Sequence, residues 1–187
     1  MEQGVNMDYS LGEREYLKKV GDKLNCLRDF LNSDTVSFND SSLQDIQWHI
    51  AQIKSILGNF DNDVSFTACL MAKEYLHNIH PSINLDVSAK PQSAPGLDID
   101  TILPDNLRVI AEIKTTFPYG KNGFGSKQKE MFLKDFKKLQ EHQATYKYFF
   151  VTEKMAFGII EQRYMKYLDG VNLVLLSCTV NNDLSNE

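Results

Sequence analysis

One stretch near the middle of the chain, residues 95–115, decides the fold; its sequence is PGLDIDTILPDNLRVIAEIKT. Two apolar segments, GLDIDTIL at 96–103 and LRVIAEIKTT at 107–116, flank a Pro-Asp-Asn turn signal and predict a hairpin. A further strand, SINLDVSA at 82–89, is predicted just before them. These three strands predict an antiparallel meander.

Helices are predicted on both sides of these strands from the spacing of apolar residues. The clusters Asn-Asp-Ser-Ser at 39–42 and Asp-Asn-Asp at 61–63 are typical of helix N-caps. The predicted helices lie at 11–31, 43–57, 64–79, 127–142 and 157–168, with further strands at 146–153 and 171–178. This order predicts an α/β fold with a mixed central sheet, an antiparallel meander plus crossover strands, flanked by helices.

The expected organisation is an N-terminal helical hairpin appendage at 1–60, a core at 61–180 and a polar tail at 181–187. The three cysteines are odd in number and far apart, which favours a reducing cytoplasm over a disulfide framework. No export signal and no apolar run long enough to span a bilayer is recognised, so we expect a cytoplasmic protein without a membrane partner.

Charge is distributed unevenly along the chain. The formal net charge is −5, yet residues 114–147 contain eight lysines against three acidic residues. Such a basic segment could contact the phosphates of a nucleic acid. A solvated face of an amphipathic helix explains most of these lysines equally well.

Four charged residues stand on the two strands of the predicted hairpin. Side chains two residues apart lie on the same face of a strand. Asp98 therefore lies on the same face as Asp100, and Glu112 lies on the same face as Lys114. One register sets Asp100 opposite Glu112, and a shift of two residues sets Asp98 there instead. Either register brings the four groups together.

Three carboxylates this close repel one another, and one lysine does not neutralise them. A divalent cation would, and oxygen ligands suit Mg²⁺ or Mn²⁺. The alternative is an ordinary solvated strand face with cross-strand ion pairs.

The pattern Pro95-Gly96-Leu97-Asp98, a turn, and then Ala111-Glu112-Ile113-Lys114 resembles the PD-(D/E)xK nuclease superfamily, and more narrowly the type II restriction endonucleases. The resemblance covers roughly residues 64–177. It implies a restriction-endonuclease-like fold and a Mg²⁺-dependent endonuclease, with Mn²⁺ as a substitute, that hydrolyses double-stranded DNA as a homodimer.

The resemblance also assigns roles to individual residues. Asp98, Glu112 and the backbone carbonyl of Ile113 would bind the metal, and Lys114 would assist the attacking water. Asp100 shares the face of Asp98 and could replace it as ligand. A further glutamate of the family, on the helix before the meander, would correspond to Glu74.

The helix after the second hairpin strand is a candidate DNA-binding element, because a helix N-terminus favours phosphate. The candidates there and in the preceding loop FPYGKNGFGS are Lys121, Lys127, Gln128 and Lys129. A solvated first turn would explain the helical three equally well.

Two other functions are compatible with the pattern. One is a non-catalytic DNA-binding or partner-binding protein on a nuclease fold. The other is a two-metal nucleotidyltransferase that would use Asp98, Asp100 and Glu112. No Walker A motif is found, so no nucleotide cofactor is expected.

Overall fold

A computed structural model describes residues 8–33, 37–39, 41–91, 94–119 and 123–176. The helices are α1 (Leu11–Ser33), α2 (Leu43–Leu57), α3 (Phe60–Ile79), α4 (Ser126–Glu141) and α5 (Lys154–Arg163), and the strands are β1 (Ile99–Ile102), β2 (Arg108–Lys114), β3 (Tyr146–Val151) and β4 (Asn172–Leu175). Short 3₁₀ turns form at Val87–Ala89 and Met165–Tyr167. No helix in these ranges is long and apolar enough to cross a membrane.

The strands form a mixed sheet in the order β1-β2-β3-β4. β1 and β2 are antiparallel, whereas β2, β3 and β4 run parallel to one another. A parallel neighbour requires a crossover, and α4 connects β2 to β3 while α5 connects β3 to β4. The predicted α/β class, with a mixed sheet flanked by helices, is confirmed.

The sheet separates two apolar clusters, because successive residues of a strand point to opposite faces. Val109 and Ala111 pack in the cluster that contains the buried side chains of α3. Ile110 packs with Phe132 and Phe136 of α4 in the other cluster. Glu112 and Lys114 follow Ile110 at intervals of two residues, so they lie on the face of β2 that is turned toward α4.

The predicted strand at 82–89 is wrong. This segment is irregular and ends in the 3₁₀ turn, so the meander reduces to the β1–β2 hairpin. The apolar alternation is real, since Ile83 and Val87 are buried. Side chains satisfy the backbone instead of a strand partner: the Val87 N–H donates to Glu13 at 2.8 Å, and the Ser88 N–H donates to Asp86 at 2.9 Å.

Helix α3 begins at Phe60, before the Asp-Asn-Asp cluster that was expected to cap it. Asp63 is therefore within the helix, where it is 4% exposed. Its carboxylate accepts hydrogen bonds from the Tyr16 hydroxyl at 3.0 Å and from Lys23 Nζ at 2.6 Å. The carboxylate thus attaches α1 to α3 and does not cap the helix.

The remaining elements differ from the prediction mainly at their ends. α2 begins with a capping box in which Ser42 and Asp45 exchange hydrogen bonds, as its N-cap signal predicts. The predicted helix at 157–168 begins earlier, at Lys154, and gives way to the 3₁₀ turn after Arg163. The predicted polar tail at 181–187 lies outside the described residues.

Candidate active site at the β1–β2 hairpin

The hairpin adopts one of the two registers that the sequence allows. Ile99 is paired with Ala111, and one residue further this register sets Asp98 opposite Glu112. Asp98 Oδ2 also accepts a hydrogen bond from the Ile113 N–H at 2.8 Å. The turn between the strands includes Asn106 at φ 63°, a left-handed conformation that asparagine tolerates.

A cavity of about 320 Å³ opens where β2 ends. Asp98, Glu112 and Lys114 all line it, together with two residues of α4, Asp135 and Lys138. The other lining residues are Ser65, Cys69, Ile113, Thr115 and Thr116. The structure therefore brings the three predicted catalytic side chains to one place.

Glu112 is the buried member of this group, at 2% exposure. Burial, and after it the nearby charge of Asp98, raise the pKa of its carboxyl to about 7 against the opposing effect of Lys138. Lys138 Nζ lies 2.5 Å from Glu112 Oε1. The distance is that of an ion pair, yet among the described residues Oε1 has no partner in hydrogen-bond geometry.

Lys114 forms an ion pair with Asp135, at 2.7 Å from Nζ to Oδ2. Both side chains are mostly buried, with 19% and 13% exposed. Asp135 was not predicted from the sequence, although a signal exists. It follows Phe132 by three residues and precedes Leu139 by four, so it occupies the apolar face of α4, where an acid is unusual.

Lys138 lies one turn beyond Asp135 and also faces the site. Besides its ion pair with Glu112, its Nζ donates to the backbone carbonyl of Gly96. Gly96 has φ 103°, a conformation that favours glycine. The Lys138 ammonium group thus connects Gly96, which lies just before β1, to the buried carboxylate of Glu112 in β2.

Asp100 and Glu74 were possible additional ligands, and the structure places both in other contacts. Asp100 makes two parallel hydrogen bonds to the Arg108 guanidinium, at 2.9 and 2.8 Å, and Arg108 holds the pKa of Asp100 below its ordinary value. Glu74 is exposed on α3 and accepts a hydrogen bond from the Tyr9 hydroxyl. Neither residue lines the cavity among the described residues.

The predicted DNA-binding residues are placed differently from one another. Lys127 and Lys129 are exposed, and Lys121 lies outside the described residues. Gln128 is 6% exposed; its amide donates to the Phe117 carbonyl at 2.7 Å, and its Oε1 accepts from the Tyr119 N–H at 3.2 Å. The expectation for Gln128 is corrected, because this side chain holds the loop before α4.

The donor set fits a divalent cation, with one condition. Mg²⁺ needs only one or two protein carboxylates, and Asp98 and Glu112 provide two beside the carbonyl of Ile113. Glu112 Oε1, which lacks a partner in hydrogen-bond geometry, is the oxygen that Lys138 Nζ now approaches. No group of three His, Cys, Asp or Glu side chains suited to a metal occurs in the described ranges. The condition is that Lys138 must leave Glu112.

Comparison with known proteins yields no match to the chain from any family model, curated protein or solved structure.

Proposed function

We propose that this protein is a Mg²⁺-dependent endodeoxyribonuclease that hydrolyses phosphodiester bonds of double-stranded DNA, as a sequence-specific type II restriction enzyme of the PD-(D/E)xK superfamily. The observation that carries the proposal is the cavity at the end of β2, lined jointly by Asp98, Glu112 and Lys114. A restriction-endonuclease-like arrangement of the sheet belongs to the same proposal. The mixed order β1-β2-β3-β4 supports it.

Each residue of the site has a distinct part in this proposal. Asp98, Glu112 and the carbonyl of Ile113 would hold the metal, which when bound supplies a Lewis acid and lowers the pKa of water. Lys114 would orient the attacking water and stabilise negative charge on the phosphate in the transition state. Asp135 would keep the Lys114 ammonium directed into the cavity, because the two groups are 2.7 Å apart.

Substrate contacts would come from the loop at 117–125 and from the first turn of α4. Lys127 and Lys129 are exposed and could contact phosphate. Phe117 and Tyr119 are 70% and 87% exposed, and such rings can contact bases in a groove. A homodimer would allow both strands of the duplex to be cut, because one chain provides one such site.

The test of this function is cleavage of supercoiled plasmid DNA with Mg²⁺, and with Ca²⁺ in a parallel reaction. We expect wild-type protein to cut with Mg²⁺, and Asp98→Asn and Lys114→Ala to be slower by at least about a hundredfold. Glu141→Gln, an exposed change on α4, serves as the control that retains activity. Intact plasmid with wild-type protein under every metal would refute the nuclease.

Mapping of the cleaved ends on DNA of known sequence decides between kinds of nuclease. Discrete fragments are the expected result for a restriction enzyme. A continuous smear would show that the enzyme cuts without sequence specificity.

One observation favours the second candidate, a non-catalytic DNA-binding or partner-binding protein. Glu112 and Lys114 each already have an opposite charge within 2.7 Å, from Lys138 and Asp135. DNA binding in a gel-shift assay without cleavage, equal in wild type and Lys114→Ala, would support this candidate. The nucleotidyltransferase has less support, because the carboxylate of Asp100 is held by Arg108.

A further inference from the structure

The ammonium group of Lys138 lies against the Glu112 carboxylate, which is one of the ligands of the proposed metal. Its Nζ lies 2.5 Å from Glu112 Oε1 and also donates to the carbonyl of Gly96. Glu112 has 3% of its side chain exposed, so water cannot take over the role of this cation. The ammonium group is therefore the charge that compensates Glu112 when no metal is bound.

The charges of the cavity support this interpretation. Three carboxylates, Asp98, Glu112 and Asp135, line it with two lysines, Lys114 and Lys138. Lys114 is engaged by Asp135, which leaves Lys138 to compensate the carboxylates of the hairpin. A divalent cation at Asp98 and Glu112 would place two cations at one carboxylate, and like charges at such a distance repel strongly.

Lys138 is also able to leave. Its side chain is 26% exposed at the mouth of the cavity, and a lysine has a flexible four-carbon stem. Its contact with Glu112 is an ion pair, and a divalent cation at the same carboxylate would replace the attraction that this pair supplies. Glu112, in contrast, is fixed within β2 between buried neighbours.

We propose that Lys138 is a built-in counter-ion that occupies the metal position of Glu112 in the resting protein and is displaced when a divalent cation binds. This inference rests on the proposed metal site, and it makes Lys138 a determinant of metal affinity. The residue couples cation binding to a movement at the surface of α4, next to Gly96 and the start of β1.

The first experiment measures binding of Mn²⁺ without DNA, by isothermal titration calorimetry and by electron paramagnetic resonance of the free ion. At a pH well above 7, where Glu112 is ionised, removal of the competing ammonium should lower the Kd of Lys138→Met about ten- to hundredfold. Lys138→Arg keeps the charge and should not bind more tightly than wild type. Lys137→Met is the matched control, since this neighbour is exposed and pairs with Glu141 outside the cavity.

A second measurement uses the wild-type protein, because Lys138→Met leaves Glu112 without its counter-ion and could unfold. The rate at which acetic anhydride modifies each lysine is followed by mass spectrometry in Mg²⁺ and in EDTA. Displacement predicts faster acetylation of Lys138 in Mg²⁺. Lys137, on the same helix, should react at one rate in both conditions.

The outcomes separate this inference from the nuclease itself. Tighter Mn²⁺ binding by Lys138→Met, or Mg²⁺-dependent acetylation of Lys138, supports the counter-ion even when no DNA is cut. Unchanged Kd values and unchanged acetylation overturn it even when the protein cleaves DNA. Absence of any metal binding by wild type and Lys138→Met alike overturns it as well.

Discussion

Glu112 is the residue on which the chemistry of the site depends most, because a carboxyl is held there away from water. Its pKa is raised to about 7, first by burial and then by the charge of Asp98. A group whose pKa is higher in the folded state binds its proton more tightly there. Glu112 therefore favours the fold at low pH, and this contribution disappears as the pH rises through 7.

Replacement of Glu112 by Gln tests this linkage, because Gln resembles the protonated carboxyl at every pH. Between pH 4.5 and pH 7, in EDTA, the wild type should lose stability relative to Glu112→Gln by up to about 3 kcal/mol. The measurement is urea denaturation at a series of pH values. Glu141→Gln, at an exposed site, should show no such trend. A difference that is independent of pH would contradict the prediction.

Asp100 provides a contrast with Asp98, since the resemblance assigns Asp98 as the metal ligand and Asp100 is its possible replacement. We expect Asp100→Asn to retain DNA cleavage and to lose less than about 1 kcal/mol of stability, because its pair with Arg108 is partly exposed. Asp98→Asn should abolish cleavage. Parallel cleavage assays and urea denaturation check both expectations. The opposite result, with only Asp100→Asn inactive, would reverse the ligand assignment.

At the scale of single residues, the sequence predicts which side chains of the site lie together when those residues are near one another along the chain. Asp98, Glu112 and Lys114 belong to one hairpin, so strand geometry alone places them together. Asp135 and Lys138 come from the following helix, and only the packing of α4 on β2 shows which carboxylate or lysine each one meets. Asp135 is an unusual residue on the apolar face of α4, and this is visible in the sequence. The sequence does not identify its partner, Lys114.

Among the elements, the described parts of the loop between β2 and α4 are held by hydrogen bonds to one side chain, that of Gln128. Gln128 uses both ends of its amide: it donates to Phe117 and accepts from the backbone N–H groups of Tyr119 and Gly125. The loop carries the exposed rings proposed to contact DNA. The described parts of this loop, at 117–119 and 123–125, are thus held by a side chain of α4.

Gln128→Ala should leave these backbone groups without a partner and destabilise the protein by about 1–3 kcal/mol. The amides of Tyr119 and Gly125 should exchange hydrogen faster, which NMR or mass spectrometry can measure. Gln47→Ala, at an exposed position of α2, is the matched control. Protection that is equal in the two variants would show that Gln128 does not hold the loop.

The segment before β1 shows that the periodicity of apolar residues alone does not identify a strand. The segment at 82–89 alternates like a strand and buries Ile83 and Val87, yet the N–H groups of Val87 and Ser88 donate to the side chains of Glu13 and Asp86 instead of to a neighbouring strand. A pattern of burial is visible in a sequence, whereas the partner of each backbone N–H is a tertiary property. The helices and the remaining strands follow their patterns because their hydrogen bonds are local or lie between neighbouring strands.

For the whole molecule, the buried carboxylate of Glu13 connects helix α1 to two other parts of the fold. It is fully buried and accepts from Lys73 Nζ at 2.6 Å, from the Val87 N–H at 2.8 Å and from the Ser10 N–H at 2.8 Å. Helix α1, predicted as part of an appendage, is therefore fixed to α3 and to the segment before β1.

Glu13→Gln should cost about 3–5 kcal/mol, because it leaves the buried ammonium of Lys73 without a counter-charge. The double variant Glu13→Gln/Lys73→Met should recover part of this loss. Urea denaturation provides the comparison, with the exposed Glu15→Gln as control. A loss no greater than that of the control would show that the pair does not hold α1 in place.

The contacts of Glu13 also bear on the order in which the chain acquires its shape during synthesis. Glu13 is synthesised before two of its partners, Lys73 and Val87, which follow 60 and 74 positions later. Until Lys73 and Val87 have been synthesised, the carboxylate of Glu13 has only the Ser10 N–H of these three partners. The hairpin of the proposed active site needs only nearby residues and can pair as soon as it is free. β1 and β2 can thus pair with each other soon after synthesis, whereas α1 must wait for Lys73 and Val87.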